Sequence, residues 1–179
     1  MSDLQPPDLL TPVPKPPDQV RYALSVLEIV HNGDEDAISE LGDIDDLPQP
    51  WDPTTCPREL RRQVWLWCDD MAMWINREYA WRPSSLIPGC WSRHPHIARE
   101  LPGLSCLHYT AASSAGPELL EEWHRHTLPL FLDRLGIRLG ESTCRTGRHQ
   151  DWPSASRYDV MTSVSSTGER CDFTYLDVS

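Results

Sequence analysis

The fold is decided by residues 55–83, which read TCPRELRRQVWLWCDDMAMWINREYAWRP. Thr55 and Pro57 are typical of a helix start, because a hydroxyl caps free backbone N–H groups and proline suits the first turn. Apolar side chains then recur every three or four residues, which is the period of one helix face. This stripe consists of Leu60, Val64, Trp67, Met71, Trp74, Ile75 and Tyr79. We therefore predict a long helix that ends at Arg82, is buried along the stripe and carries Trp65 on its outer side.

Three further helices are predicted from the same period. One covers about residues 19–31, one opens at Pro95, and one runs over residues 117–136. Pro102 and Pro129 lie inside the last two helices, and each is expected to kink or interrupt its helix because proline removes a backbone donor. Short links join the three long helices, which makes an antiparallel bundle the economical packing.

The two ends of the chain differ from this helical middle. Residues 1–17 hold six prolines and are predicted to be a disordered leader, and residues 18–50 to be one helix plus an acidic linker. Residues 51–140 form the predicted bundle core, and residues 141–179 a loop and a β-hairpin, because apolar residues alternate over 158–175. The predicted fold class is mainly α, a three-helix antiparallel bundle with an extra N-terminal helix and a small C-terminal β-hairpin packed on it.

Charge and composition narrow the class of function. The net charge is -11, and residues 1–50 hold eleven acidic against two basic residues. Such a balance disfavours direct binding to nucleic acid, which needs clustered cations. The sequence has no apolar run long enough to span a membrane and no signal-peptide pattern, so we expect a cytoplasmic protein with reduced cysteines.

Cysteine and histidine residues suggest one metal site. Cys90 and His94 are four apart in a predicted link, and with Cys106 or His108, and His124, they could converge on a tetrahedral zinc ion. The competing interpretation is that these residues pack in the core and satisfy indole or backbone partners. We prefer the second interpretation, so the sequence predicts no cofactor, with zinc as the alternative.

A polar loop follows the last predicted helix. Residues 140–149 contain Arg145 and Arg148, which could hold a phosphate, and also Cys144 and His149, five apart. No glycine nest or helix start accompanies the two arginines. A solvated connection is therefore the favoured interpretation of this loop.

One part of the sequence resembles a known family. Pro88, Cys90, Trp91 and His94 form the pattern P-x-C-W-x-x-H, and Trp123-His124 follows ahead of a proline-bearing helix. The pattern resembles that of actinobacterial proteins of unknown function that accompany plasmid-transfer, integrative-element or phage genes. The resemblance covers roughly residues 58–136 and implies a mobile-element setting without an activity.

Two classes of function follow from these observations. The first is a non-enzymatic accessory protein of a mobile element that binds another protein; its interaction residues would be Trp65, Asp34, Glu35, Asp36, Asp43, Asp45 and Asp46. The second is a small metal-dependent or thiol enzyme centred on Cys90, His94 and His124. A third hypothesis is that the acidic segment mimics DNA and acts on a DNA-handling protein. We prefer the first, because it requires no catalytic motif.

Overall fold

The computed structural model describes residues 10–33, 39–42 and 44–151, and these residues are mainly helical with no strand among them. This confirms the predicted mainly α class. The α-helices are α1 (Asp18–His31), α2 (Arg58–Glu78), α3 (Pro95–Ala112), α4 (Glu118–Glu122) and α5 (Leu128–Leu139). Short 3₁₀ turns span Ile44–Asp46, Pro83–Ser85, Trp91–Arg93 and Thr143–Thr146. The predicted β-hairpin lies outside the described residues.

Helix α2 forms the centre of the core, as its stripe predicts. Its buried residues are Leu60, Val64, Trp67, Cys68, Met71, Ala72, Trp74 and Ile75. The helix ends at Glu78, before the predicted end at Arg82, because Tyr79 leaves helical geometry with φ -126°. Thr55 does not cap this helix: its hydroxyl accepts a hydrogen bond from the Gln49 N–H at 2.8 Å.

Helix α3 continues through Pro102 without a break, which corrects the predicted interruption. Proline in a helix costs one backbone hydrogen bond and crowds the preceding turn. The Pro102 ring is fully buried beside Leu101, so its contacts with the core offset that cost.

The last predicted helix is divided by a wide turn. Five residues, Trp123–Thr127, form a π-helical turn between α4 and α5, directly before Pro129. A π turn relieves the steric clash that proline causes and accommodates its missing N–H donor. The regular α-helical pattern is therefore interrupted shortly before Pro129, where the sequence predicts a disturbance of the helix. Helix α5 ends at Leu139, three residues beyond the predicted stop at Gly136, and Gly140 ends it with φ 48°.

One buried cluster joins α1, α2, α3, the π turn and α5. Part of the segment before α1 also packs against this cluster, through Val13. The indole of Trp67 donates a hydrogen bond to the Pro14 carbonyl, and that of Trp74 donates to the Thr11 carbonyl, both at 3.1 Å. Residues 11–14 are thus held against α2, within the segment that the sequence suggests is a disordered leader.

Helix α2 contacts α1 and α3, and α3 in turn contacts α4, the π turn and α5. The antiparallel arrangement of three helices stays a prediction. Within the described residues, no helix combines the length and the apolar character needed to cross a membrane.

Candidate metal centre

Cys90 and His94 lie in the link between α2 and α3. The Asn76 side chain fixes this link, because its amide donates to the Ile87 carbonyl and its oxygen accepts from the Ile87 N–H, both at 2.8 Å. The Trp91 indole then donates to an Asp69 carboxylate oxygen at 2.9 Å. His94 is the residue that precedes α3, so both candidate ligands are held at the start of that helix.

Cys144 and His149 come from the loop that follows α5. The loop reverses at Gly147, whose φ of 84° is left-handed, a conformation that glycine adopts without strain. Arg145 fastens it to the rest of the fold, because its guanidinium donates to the Ser84 carbonyl at 2.9 Å. The Thr143 hydroxyl also donates to the Arg148 carbonyl at 2.9 Å. These contacts place Cys144 and His149 beside the start of α3.

The four side chains converge on one point. One ligand atom from each of Cys90, His94, Cys144 and His149 lies within 4.8 Å of all the others. The Cys90 Sγ is 3.4 Å from the His94 Nε2, and the Cys144 Sγ is 3.9 Å from the His149 Nδ1. Tetrahedral zinc bonds to sulfur at ~2.3 Å and to nitrogen at ~2.0 Å, which separates its ligand atoms by roughly 3.3–3.8 Å. The set therefore fits a zinc ion after small adjustments.

Neighbouring groups orient the candidate ligands. The His149 Nε2 lies 3.0 Å from an Asp151 carboxylate oxygen, which leaves Nδ1 facing the cluster. A carboxylate on the far nitrogen of a histidine is a frequent support of metal sites. The Gln150 N–H donates a hydrogen bond to the Cys144 sulfur at 3.1 Å, and such a donor stabilises a thiolate.

Burial and hydrogen bonds shift the pKa values of three side chains in the cluster. Burial raises the pKa of the Cys90 thiol, and its contact with Cys144 acts in the same direction. Burial also acts to raise the pKa of Cys144, but hydrogen bonds involving Ser142, Gln150 and Cys90 outweigh it and lower that pKa. Burial, followed by the proximity of His149 and Arg93, lowers the pKa of His94. The pKa shifts of His94 and Cys144 are toward the forms that bind metals, whereas the shift of Cys90 is toward the neutral thiol.

His94 is enclosed on all sides, with 1% of its surface exposed. Its Nδ1 atom has no hydrogen-bond partner among the described residues. A cavity of about 250 Å³, lined by His94, Ser142, Gln150 and Asp151 among others, adjoins the cluster. The ring nitrogen that lies beside the Cys90 sulfur is Nε2, so Nε2 is the candidate metal-binding atom of this imidazole.

The structure brings together only part of the predicted site. Cys90 and His94 contact each other, but Cys106, His108 and His124 lie elsewhere. His94 precedes α3 and His108 lies near its end, so a rise of ~1.5 Å per residue separates them by roughly 20 Å. His108 packs instead on Trp123 with ring centroids 4.6 Å apart. The structure corrects the predicted ligand set in these positions.

His124 belongs to the same aromatic cluster as His108. Its Nδ1 lies 3.4 Å from the Tyr79 hydroxyl, and the two rings are stacked at 5.9 Å. The π turn carries His124 on an exposed position next to the buried Trp123. Neither His108 nor His124 can therefore complete the site at Cys90.

Cys144 and His149 are the candidate ligands that sequence reasoning did not assign to the site. A weak signal was available, since Cys90 with His94 and Cys144 with His149 each place a thiol and an imidazole four or five residues apart. Nothing in the sequence places these two pairs side by side, because the loop reaches the link through tertiary contacts such as that of Arg145 with Ser84. The loop is thus attached to the fold through Arg145 and the buried Cys144, where the sequence favours a solvated connection.

The predicted interaction residues lie away from this cluster or outside the described residues. Trp65 is half-buried on α2 and packs against Trp91 with ring centroids 5.1 Å apart. Asp45 and Asp46 are exposed in the 3₁₀ turn Ile44–Asp46. The other predicted acids, Asp34, Glu35, Asp36 and Asp43, are outside the described residues.

Comparison of the chain with protein-family models, curated proteins and solved structures finds no match.

Proposed function

We propose that the protein binds one zinc ion through Cys90, His94, Cys144 and His149, and that the ion fastens the loop after α5 to the start of α3. The observation that carries the proposal is the convergence of four ligand atoms within 4.8 Å of one another. The two pairs are far apart in the sequence, so the ion would close a long loop of the chain and restrict the unfolded state.

The donor set favours zinc and a structural role. Two thiolates with two imidazoles match the softness and the tetrahedral geometry of zinc sites. Four protein ligands leave no open position for water or substrate, whereas catalytic zinc keeps one. The alternative of a metal-dependent or thiol enzyme centred on Cys90, His94 and His124 has less support, because His124 lies in the aromatic cluster with Tyr79.

Metal analysis of purified protein tests this proposal. We expect one tightly held zinc per chain after gel filtration, and loss of that zinc in Cys144→Ser and in Cys90→Ser. Cys106→Ser is the matched control, because Cys106 is a buried thiol outside the cluster. A wild-type chain without metal, or an equal loss of zinc in the control, would contradict the proposal. Circular dichroism on each variant verifies that its helices are retained.

A second candidate function is binding of another protein, as an accessory of a mobile element. The observation that favours it is the surface around Trp65, which lies between two cavities of about 540 and 390 Å³. Arginines outnumber acids in their linings, namely Arg58, Arg61, Arg62 and Arg99 against Asp52 and Asp69. An aromatic ring among arginines suits a partner that presents carboxylates and apolar side chains.

Pull-down from an actinobacterial lysate compares two tryptophan variants. Trp65→Ala should lose a specific partner that the wild type retains. Trp81→Ala should keep it, because Trp81 is 94% exposed and lines neither cavity. Equal capture by all three proteins would contradict the role of Trp65.

In this proposal the three long helices form an antiparallel bundle, the protein works in the cytoplasm, and its partner is a protein rather than nucleic acid. The DNA-mimic hypothesis has less support, because it depends on two exposed acidic residues, Asp45 and Asp46. Its test is binding to a basic DNA-handling protein at moderate salt, and removal of both carboxylates should weaken that binding.

A further inference from the structure

The two sulfur atoms of the candidate zinc site are neighbours in space although they are far apart in the sequence. The sulfur atoms of Cys90 and Cys144 lie within 4.8 Å of each other, and both thiols are free. Cys90 is partly exposed, whereas Cys144 is only 3% exposed. An oxidant that arrives from solvent therefore meets Cys90 first and finds a second sulfur directly behind it.

The remaining described cysteines do not share these properties. Cys56, Cys68 and Cys106 are buried in the core. Burial raises the pKa of Cys106 to about 12, so this thiol stays protonated and unreactive at neutral pH. The structure thus separates one adjacent pair of sulfurs from three thiols packed in the core.

We propose that Cys90 and Cys144 form a peroxide-sensitive switch, in which their oxidation to a disulfide releases the zinc ion. This inference rests on the proposed zinc binding. A disulfide sulfur no longer carries the thiolate charge that binds zinc. The two remaining ligands, His94 and His149, are too few to hold the ion tightly.

The reaction balances with hydrogen peroxide as the oxidant. In the zinc-loaded chain, metal binding would hold Cys90 as a thiolate. This thiolate attacks one peroxide oxygen, the O–O bond breaks, and Cys90 becomes a sulfenic acid while hydroxide leaves. The Cys144 thiolate then attacks the Cys90 sulfur, the S–S bond forms, and a second hydroxide leaves. Two protons convert these hydroxides to water. Two sulfurs have together lost two electrons, peroxide has gained them, and zinc departs as the unchanged divalent ion.

The disulfide requires only local movement. The sulfurs have to approach from within 4.8 Å to ~2.05 Å. Cys144 lies in the short turn Thr143–Thr146, between Gly140 and Gly147, and glycines with positive φ permit a loop to readjust. The oxidised chain would keep its loop attached through the S–S bond while His94 and His149 are set free.

The test uses the zinc-loaded full chain. Hydrogen peroxide is added in small excess, zinc release is followed with a chromogenic chelator, and the disulfide is mapped in non-reducing peptides by mass spectrometry. We expect one zinc released for each Cys90–Cys144 disulfide, with a loss of about two mass units per chain. Dithiothreitol followed by zinc should restore the starting state. Cys106→Ser should behave as the wild type.

The contrary outcomes distinguish failure of the switch from failure of the proposed zinc binding. Zinc that stays bound under peroxide, or leaves while Cys90 appears as sulfinic acid or in a disulfide with another cysteine, overturns the switch and leaves the zinc function intact. A purified chain that holds no zinc overturns the proposed function and the switch with it.

Discussion

At the scale of single residues, hydrogen bonds from neighbouring residues hold the four candidate ligands in place. Asp151 orients His149, and the Gln150 N–H stabilises the Cys144 thiolate. Asn76 and Trp91 hold the link that carries Cys90 and His94. Because a ligand that is already oriented loses little freedom when metal binds, these neighbours are expected to contribute to affinity.

The contribution of Asp151 can be measured directly. Asp151→Ala should weaken zinc binding by roughly 10–100-fold, because His149 loses the partner that fixes its ring. Asp133→Ala removes an exposed carboxylate from α5 and should leave the affinity unchanged. Competition with a chelator of known affinity measures both variants. Equal affinities would show that Asp151 does not support the site.

At the scale of secondary-structure elements, α3 joins two different clusters of histidine. His94, next to its first turn, belongs to the candidate metal centre, whereas His108 near its end is buried between Trp74 and Trp123. Burial, followed by the proximity of His124, lowers the pKa of His108 from 6.5 to about 4. Tyr79 also lies in this aromatic cluster.

The depressed pKa of His108 predicts a pH dependence of stability. Between pH 6.5 and 4, the unfolded chain takes up a proton on this histidine that the folded chain does not. The free energy of unfolding should therefore fall as the pH is lowered through that window. In His108→Phe the fall should be smaller, and in His126→Phe, an exposed site, it should match the wild type. Denaturant titrations at several pH values compare them, and identical slopes in all three would contradict the prediction.

These elements also show which features of the fold could be predicted from the sequence. The stripe of α2 was predictable because burial follows the helical period, and Cys90 with His94 because they are neighbours in the sequence. The end of α5 was not predictable, because Gly136, which is typical of a helix end, lies inside a helix that continues to Leu139. Cys144 and His149 were not assigned to the site, because the loop's place depends on contacts between distant residues.

At the scale of the whole molecule, one buried cluster joins all the long helices, and the loop after α5 lies at its margin. This loop has few buried residues, and Cys144 is its most enclosed side chain. We therefore expect zinc to attach this loop to the fold, and the tryptophan-rich core to stabilise the rest of the fold.

Removal of the metal should accordingly loosen the loop and spare the helices. After chelation, we expect trypsin to cut faster after Arg145 and Arg148, while cleavage at arginines outside the loop and the helical circular dichroism stay unchanged. Added zinc should reverse the effect. General unfolding on chelation, or an unaltered cleavage rate in the loop, would contradict this division of roles.

X-ray absorption at the zinc edge of the purified full chain measures the ligand set of the proposed four-ligand zinc site. We expect two sulfur neighbours at ~2.3 Å and two nitrogen neighbours at ~2.0 Å, with imidazole scattering. A shell of nitrogen and oxygen alone, or a sulfur count other than two, would contradict the proposed site.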